Sequence, residues 1–267
     1  LIVAPVRDAV GAATDALTAA GCDTPRLDAE LLIADALGVD RGALITDPDR
    51  DIPASAARVI GDRVRRRVAR EPVAYILGRK GFRHIELAVN SRVLIPRPET
   101  ELLVEVALEL PEGALVHEVG TGSGAVALAL RHERPDLKVS ASDLSPGAVE
   151  VARVNAARLG LELEITAERG LPAGYFDLVL ANLPYVATAE ISGLAPEIQR
   201  YEPREALVAG ADGLDAIREL IDQAPPGTRL ALEHAPHQAE AVRGLLRDPT
   251  SRRDLVGLER VTLGRAP

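Results

Sequence analysis

From about residue 98 onward the chain repeats one pattern: a short apolar run, then a stretch with helical spacing. Apolar runs at 114–119, 138–142, 162–166, 176–181 and 228–233 predict strands, and 99–109, 123–132, 146–158, 213–223 and 236–247 predict helices. Strands separated by helices do not pair as tight hairpins, because each helix carries the chain back along the sheet before the next strand begins. The pattern therefore predicts a Rossmann-like, doubly wound α/β domain over 98–267, with ligands bound beyond the C-terminal ends of its strands. Its core has to be built from Leu, Val, Ile and Ala, since the sequence holds two Phe, four Tyr and no Trp or Met.

The residues before this domain have a different period. Val6 to Ala20, the stretch from the candidate N-cap Thr24 to Gly38, and 55–70 with Ser55 as candidate cap all show helical spacing, so 1–80 reads as a small all-α domain. Arg63, Arg65, Arg66, Arg67 and Arg70 lie mostly off the apolar stripe of the third helix. That places them on a solvated face, with a contact surface for an acidic macromolecule as the alternative. Residues 82–95 alternate instead, with Asn90-Ser91 between two β-rich runs, and predict a β-hairpin linker over 81–97.

The net charge is −9. The first 80 residues are balanced, so the whole surplus belongs to the α/β domain. A domain that grips a nucleic-acid backbone needs the opposite sign, and no direct nucleic-acid partner is expected. No apolar run reaches the roughly 18 residues that would span a bilayer. No signal peptide is visible and the single Cys22 has no partner for an internal disulfide, so a reducing cytoplasm is the expected location.

Three strand ends carry the chemistry. After the run at 114–119 come Glu118, Gly120, Thr121, Gly122, Ser123 and Gly124, which open a helix. Glycines there allow a sharp turn and close approach of a ligand to backbone N–H groups, although the spacing also satisfies a loose dinucleotide fingerprint. Asp143 ends the next strand, 19 residues after Gly124, where a carboxylate can accept from both ribose hydroxyls. An acid here fits an adenosine ligand without a ribose phosphate, either NAD or S-adenosylmethionine. The third strand runs into Asn182-Leu183-Pro184-Tyr185. Asn182 Oδ1 and the Leu183 carbonyl could accept the two N–H groups of a planar nitrogen, either a base amine or a side-chain amide. That would aim the nitrogen lone pair at an electrophile, with Pro184 stiffening the turn and Tyr185 packing on the planar group. The five histidines show no ligand spacing apart from Glu233-His234 and His237, read as structural, so no metal is expected.

In this order these residues resemble class I S-adenosylmethionine-dependent methyltransferases. Within them the chain is similar to the HemK/PrmC family, the glutamine methyltransferases of peptide chain release factors. The similarity extends over "REPVAYILGRKGF" (70–82), "NSRVLIPRPETELLVE" (90–105), "EVGTGSGAVALAL" (118–130), "RYEPREALVAGADGLDAIRELI" (200–221), "LALEHAPHQAEAV" (230–242) and "DLVGLERVTLGR" (254–265). It implies a helical domain that helps hold the release factor. It also implies a catalytic domain that transfers a methyl group to the side-chain amide of the Gly-Gly-Gln glutamine, in the service of translation termination. Three positions depart from the family pattern. Leu183 stands where it has proline, and Glu118 stands where it usually has Asp. The segment "TAERGLPAG" lacks an acidic-aromatic pair near the adenine, leaving Ala167 or Glu168 for that place. The first two departures match the ribosomal RNA adenine dimethyltransferases, which makes an adenine N6-methyltransferase the alternative. Those enzymes, however, begin near their glycine motif, whereas about 115 residues precede it here. A non-catalytic S-adenosylmethionine-binding protein and a NAD-dependent oxidoreductase complete the alternatives.

Overall fold

A computed structural model describes residues 4–267. The chain divides into two compact units, one running through Gly78 and including Ala195–Tyr201, the other holding Arg79–Leu194 and Glu202–Pro267.

The first unit is helical: α1 (Val6–Ala19), α2 (Pro25–Leu37), α3 (Arg41–Thr46), α4 (Ala54–Val68) and α5 (Val73–Leu77), joined by the distant α9 (Pro196–Tyr201). Leu17, Ala29, Ile33 and Ile60 meet in its core, and α2 ends at Gly38 in the left-handed conformation, as its sequence predicts. Helix α4 starts at Ala54 with Pro53 as its N-cap, two residues before the expected cap Ser55. The arginines of α4 and the turn after it correct the solvated-face reading, except at Arg65, which stays exposed. Arg67 is 5% exposed; its Nε donates to Asp28 Oδ2 and its Nη1 to Glu197 Oε1, both at 2.7 Å. Arg70 forks onto the same Glu197, Arg63 pairs with Asp35 and Arg66 with Glu71. Helical spacing marks the apolar stripe but does not reveal an acid brought in from residue 197, 130 positions away. Burial would raise the Glu197 carboxyl, but Arg70 and Arg67 override it and hold the group down at about 2.

The second unit opens with a hairpin, β1 (Arg79–Phe82) and β2 (Ile85–Ala88), that turns at Arg83-His84 and not at Asn90-Ser91. Arg83 takes a positive φ of 47° there and is tied down by a two-pronged pair with Glu133. Asn90 does form a turn, its Oδ1 accepting from the Arg92 N–H, but that turn leads on into the 3-10 turn Pro98–Thr100. Beyond lie α6 (Glu101–Leu108), β3 (Leu115–Val119), α7 (Ala125–Glu133), β4 (Lys138–Asp143), α8 (Pro146–Leu159), β5 (Glu164–Ala167) and β6 (Leu178–Ala181). After α9 come α10 (Asp215–Gln223), β7 (Arg229–Glu233), α11 (Ala239–Gly244), β8 (Arg247–Arg253) and β9 (Glu259–Arg265).

Seven strands form one sheet in the order β5-β4-β3-β6-β7-β9-β8. The first five are parallel, while β9 and β8 run antiparallel at one edge. These two strands correct the sequence reading, which carries the last helix on to 247; α11 stops at Gly244. Strand β6 reads Leu-Val-Leu-Ala and is buried throughout. Leu178 and Leu180 enter the core cluster with Leu103, Leu128 and Leu130, whereas Val179 and Ala181 enter the one with Ile217 and Leu220. This is the period of two expected of a strand covered on both faces. Each such leucine contributes about 1.5–3 kcal/mol by leaving water. The chain leaves β3 in one direction to β4 and β5, then returns to its other side as β6 and β7. The crevice of a doubly wound sheet opens at such a reversal. No helix among the described residues is long and apolar enough to cross a membrane.

Candidate active site

A cavity of about 820 Å³ occupies that crevice. The ends of β3, β4 and β6 line it through Glu118 to Ser123, Asp143 and Asn182 to Pro184, joined by Pro96, Arg97 and Thr100 from the turn before α6. All three strand-end motifs therefore converge, because β3 is hydrogen-bonded to β4 on one side and to β6 on the other.

The glycine loop is held by the two acids. Glu118 is 3% exposed, and its Oε2 accepts from the Thr121 hydroxyl at 2.6 Å and from the Ala127 N–H at 3.0 Å, tying the strand end to the first turn of α7. Burial pushes its carboxyl up to about 7, with those two hydrogen bonds opposing. Asp143 is also raised by burial; its Oδ2 accepts from the Gly122 N–H and its Oδ1 from the Ser145 N–H, each at 2.8 Å. The Gly120 and Thr121 N–H groups go to the Ser142 carbonyl and that of Gly124 to the Thr121 carbonyl. Most of the loop's donors are thus spent inside the protein, in contrast to the bare N–H cradle expected from sequence. Gly120 and Gly124 have φ of 76° and 84°. A Cβ at Gly124 would meet Leu128 Cδ1 at 2.7 Å, so this glycine lets α7 pack; at Gly120 it would meet Leu183 Cδ2 at 2.9 Å.

At the other end of the cavity the Asn182 Nδ2 donates to Thr100 Oγ1 at 3.0 Å. Asn182 Oδ1 and the Leu183 carbonyl accept no hydrogen bond among the described residues. Both belong to cavity-lining residues, as the acceptor role requires. Tyr185 is brought to the same turn but does not line the cavity. Its hydroxyl faces Glu233 Oε1 at 3.5 Å, its carbonyl accepts from Gln238 Nε2 at 2.9 Å, and burial raises its phenol beyond the ordinary tyrosine range. Of the two candidates near the adenine, Glu168 lines the cavity and Ala167 does not. Arg97, missed as a site residue, lines the cavity with its Nη2 on the buried Glu202 Oε1 at 2.5 Å. Thr100 was missed as well; it, Arg97 and Glu202 lie in stretches whose only sequence signal was family resemblance, and Glu233 was read as structural. His234 is buried between the Ala235 carbonyl and Thr262 Oγ1, and no group of His, Cys, Asp or Glu among the described residues is arranged to hold a metal ion.

The donor set fits S-adenosylmethionine. Glu118, buried, and Asp143, half-buried, are carboxylates in one cavity, and neither pairs with a Lys or Arg among the described residues. The arginines that line the cavity are already engaged: Arg92 with Glu150, Arg97 with Glu202 and Arg169 with Glu219. A buried acid without a counter-charge favours a cationic ligand that supplies one, and a carboxylate with spare lone pairs accepts hydroxyls.

Comparison with known proteins agrees with this chemistry. The sequence models of the PrmC N-terminal domain and of the methyltransferase small domain match residues 8–78 and 97–200. A release factor glutamine methyltransferase of Caulobacter vibrioides is 42% identical over 270 residues, covering 95% of this chain and 93% of that protein. Proteins of the same name from Rhodospirillum rubrum and Mycolicibacterium smegmatis are 41% and 40% identical, covering 93% and 96% of this chain and 81% and 95% of their own lengths.

Proposed function

Because the chain belongs to the release factor glutamine methyltransferase family, we infer that it methylates the side-chain amide of the Gly-Gly-Gln glutamine of a peptide chain release factor, with S-adenosylmethionine as donor. The observation that carries this reading is the pairing of two free acceptors, Asn182 Oδ1 and the Leu183 carbonyl, with two uncompensated acids in one cavity.

When bound, S-adenosylmethionine supplies an electrophilic methyl group on a sulfonium. Asp143 holds ribose hydroxyls, and Glu118 supports the loop and offers negative charge to the cationic amino-acid part. Glu168 is the cavity-lining side chain nearest in sequence to the family's adenine contact. An amide nitrogen is a poor nucleophile while its lone pair is delocalised into the carbonyl. Accepting both of its N–H bonds at Asn182 Oδ1 and the Leu183 carbonyl fixes the amide plane and favours charge moving off nitrogen. Pro184 stiffens the turn that holds the two acceptors together. Once methylated, the nitrogen is acidic and its proton leaves to water, so no charged base is needed. Leucine serves at 183 because the acceptor is a main-chain atom, and its side chain fills the space above Gly120. Release factors work at the ribosome, which places this reaction in the cytoplasm.

Incubation with labelled S-adenosylmethionine, a purified release factor and its Gln→Ala tip variant tests the reading. Label is expected on the first protein alone. Label on neither, but on ribosomal RNA, would replace the glutamine with an adenine acceptor.

A further inference from the structure

The acceptors after β6 are carried by a turn with few anchors of its own. Strand β6 ends at Ala181. The Leu183 N–H has no partner among the described residues, and Pro184 has no N–H to give. Leucine leaves φ at 183 free to rotate, where a proline would fix it. The peptide plane that bears the Leu183 carbonyl is therefore stiffened from its C-terminal side only, by the ring of Pro184. Its direction depends on what holds the chain just beyond.

Gln238 holds it there. This side chain comes from the 3-10 turn between β7 and α11 and is 3% exposed. Its Nε2 donates to the Tyr185 carbonyl at 2.9 Å and to the Asp212 carbonyl at 3.0 Å, and its Oε1 accepts from the Ala235 N–H at 3.0 Å. Both donors are spent and the oxygen is tied to its own turn, so the amide has one orientation. Exchanging its ends would set an oxygen against two carbonyl oxygens and a nitrogen against an N–H. The packing around it is close: a Cβ at Gly213 would lie 2.6 Å from Gln238 Nε2. One residue further on, the Val186 N–H donates to the Leu207 carbonyl at 2.8 Å, and the Val186 carbonyl accepts from the Ala209 N–H at 3.0 Å. Anchoring of the turn thus begins at the Tyr185 carbonyl, and Gln238 is what begins it.

Resting on the methyl-transfer reading above, we propose that Gln238 is a positioning residue for this reaction: it pins the Tyr185 carbonyl, and through the rigid Pro184 that pin holds the Leu183 carbonyl where it accepts from the substrate amide. Gln238 does not line the cavity, so it acts through the turn alone. It supplies from outside the stiffness that a free φ at 183 forfeits. A proline at 183 would supply the same stiffness from inside, at no cost in hydrogen bonds, because the Leu183 N–H is unpaired among the described residues. The two devices are therefore interchangeable, which a glutamine that merely fills space would not be.

Release-factor methylation by the wild-type protein, by Gln238→Met, by Leu183→Pro and by the double variant tests this. Gln238→Met keeps the length of the side chain and removes both donors. It should lower kcat about 10- to 100-fold, the scale of a misplaced catalytic group, with KM for S-adenosylmethionine within about twofold. Leu183→Pro alone should change kcat less than about twofold, yet raise it about fivefold or more when added to Gln238→Met. Wild-type kcat in Gln238→Met, or the same factor from Leu183→Pro in both backgrounds, overturns the proposal. Calorimetric binding of S-adenosylhomocysteine by Gln238→Met should stay within about threefold of wild type. Binding lost together with turnover would make Gln238 a folding residue and overturn the proposal as well. Hydrogen exchange gives a readout without turnover. The Val186 N–H should exchange about tenfold faster in Gln238→Met and slow again in the double variant, and unchanged exchange counts against the clamp in the same way. A wild-type protein that labels no release factor, while its variants show both changes in exchange, fails the methyl-transfer reading and not the clamp.

Discussion

The two ends of the cavity solve opposite problems. At the end of β3 the glycine loop closes on itself: Ser142, Asp143 and Thr121 take the N–H groups of Gly120, Thr121, Gly122 and Gly124. At the end of β6 the turn keeps its acceptors open and is held from behind by Thr100 and Gln238. A loop whose backbone is already satisfied keeps its shape before any ligand arrives, and selects by shape and charge. A turn whose acceptors are unsatisfied presents them to a substrate that brings its own donors. The difference explains why acids dominate one end and neutral oxygens the other.

Substitutions at the open end should cost the most turnover. Asn182→Ala is expected to lower single-turnover methylation by about a thousandfold. Its S-adenosylmethionine Kd, measured calorimetrically, should move less than about threefold. Comparable losses in both would mean that the two ends are one site and the contrast is empty. Gly213→Ala comes next. A Cβ there would lie 2.2 Å from the Tyr185 carbonyl oxygen, at a φ of 76°, where backbone has nowhere to go. Thermal unfolding should show a loss of about 3 kcal/mol, or a fall of roughly 5–10 °C.

Gly120→Ala probes the place where the two ends touch. The clash is with the tip of Leu183, which can swing aside, so the cost is mainly about 1 kcal/mol of left-handed strain plus the displaced leucine. Cofactor affinity is expected to drop about tenfold and to recover in part when Leu183→Ala is added. Failure of the second change to help would make the ends energetically independent. The smallest effect is on stability against pH. The Glu118 carboxyl is raised from 4.5 to about 7 in the folded protein, so the folded state holds the proton more tightly between those values. Stability should therefore decline as pH rises from about 4.5 to about 7 and level off above, by of order 1 kcal/mol. Glu118→Gln should flatten that slope in denaturant titrations. Glu233 acts in the same direction, so some slope should survive.

Sequence reading located the closed end well and the open end half-way. Glu118, the glycines and Asp143 follow apolar runs that only a strand explains, and their spacing places them in one crevice. Asn182 was equally legible. Its orientation was not, because Thr100 reaches it from 82 residues away, and no local period records such a contact. The strands β8 and β9 escaped for another reason. Arg247–Arg253 is a charged, mostly exposed edge that pairs on one side only, so its strand character resides in backbone hydrogen bonds. Likewise, the hairpin turn fell on Arg83, where an ion pair with Glu133 holds a conformation that arginine seldom adopts.

The excursion of Ala195–Tyr201 into the helical unit bears on how this protein could have been assembled from parts. Cutting the chain after Gly78 would strip that unit of Glu197, leaving the guanidinium groups of Arg67 and Arg70 without the acid that joins them. The helical unit is thus no cassette to be exchanged between relatives by a single crossover. Any graft has to move two pieces at once, one of them threaded through the middle of the catalytic sequence.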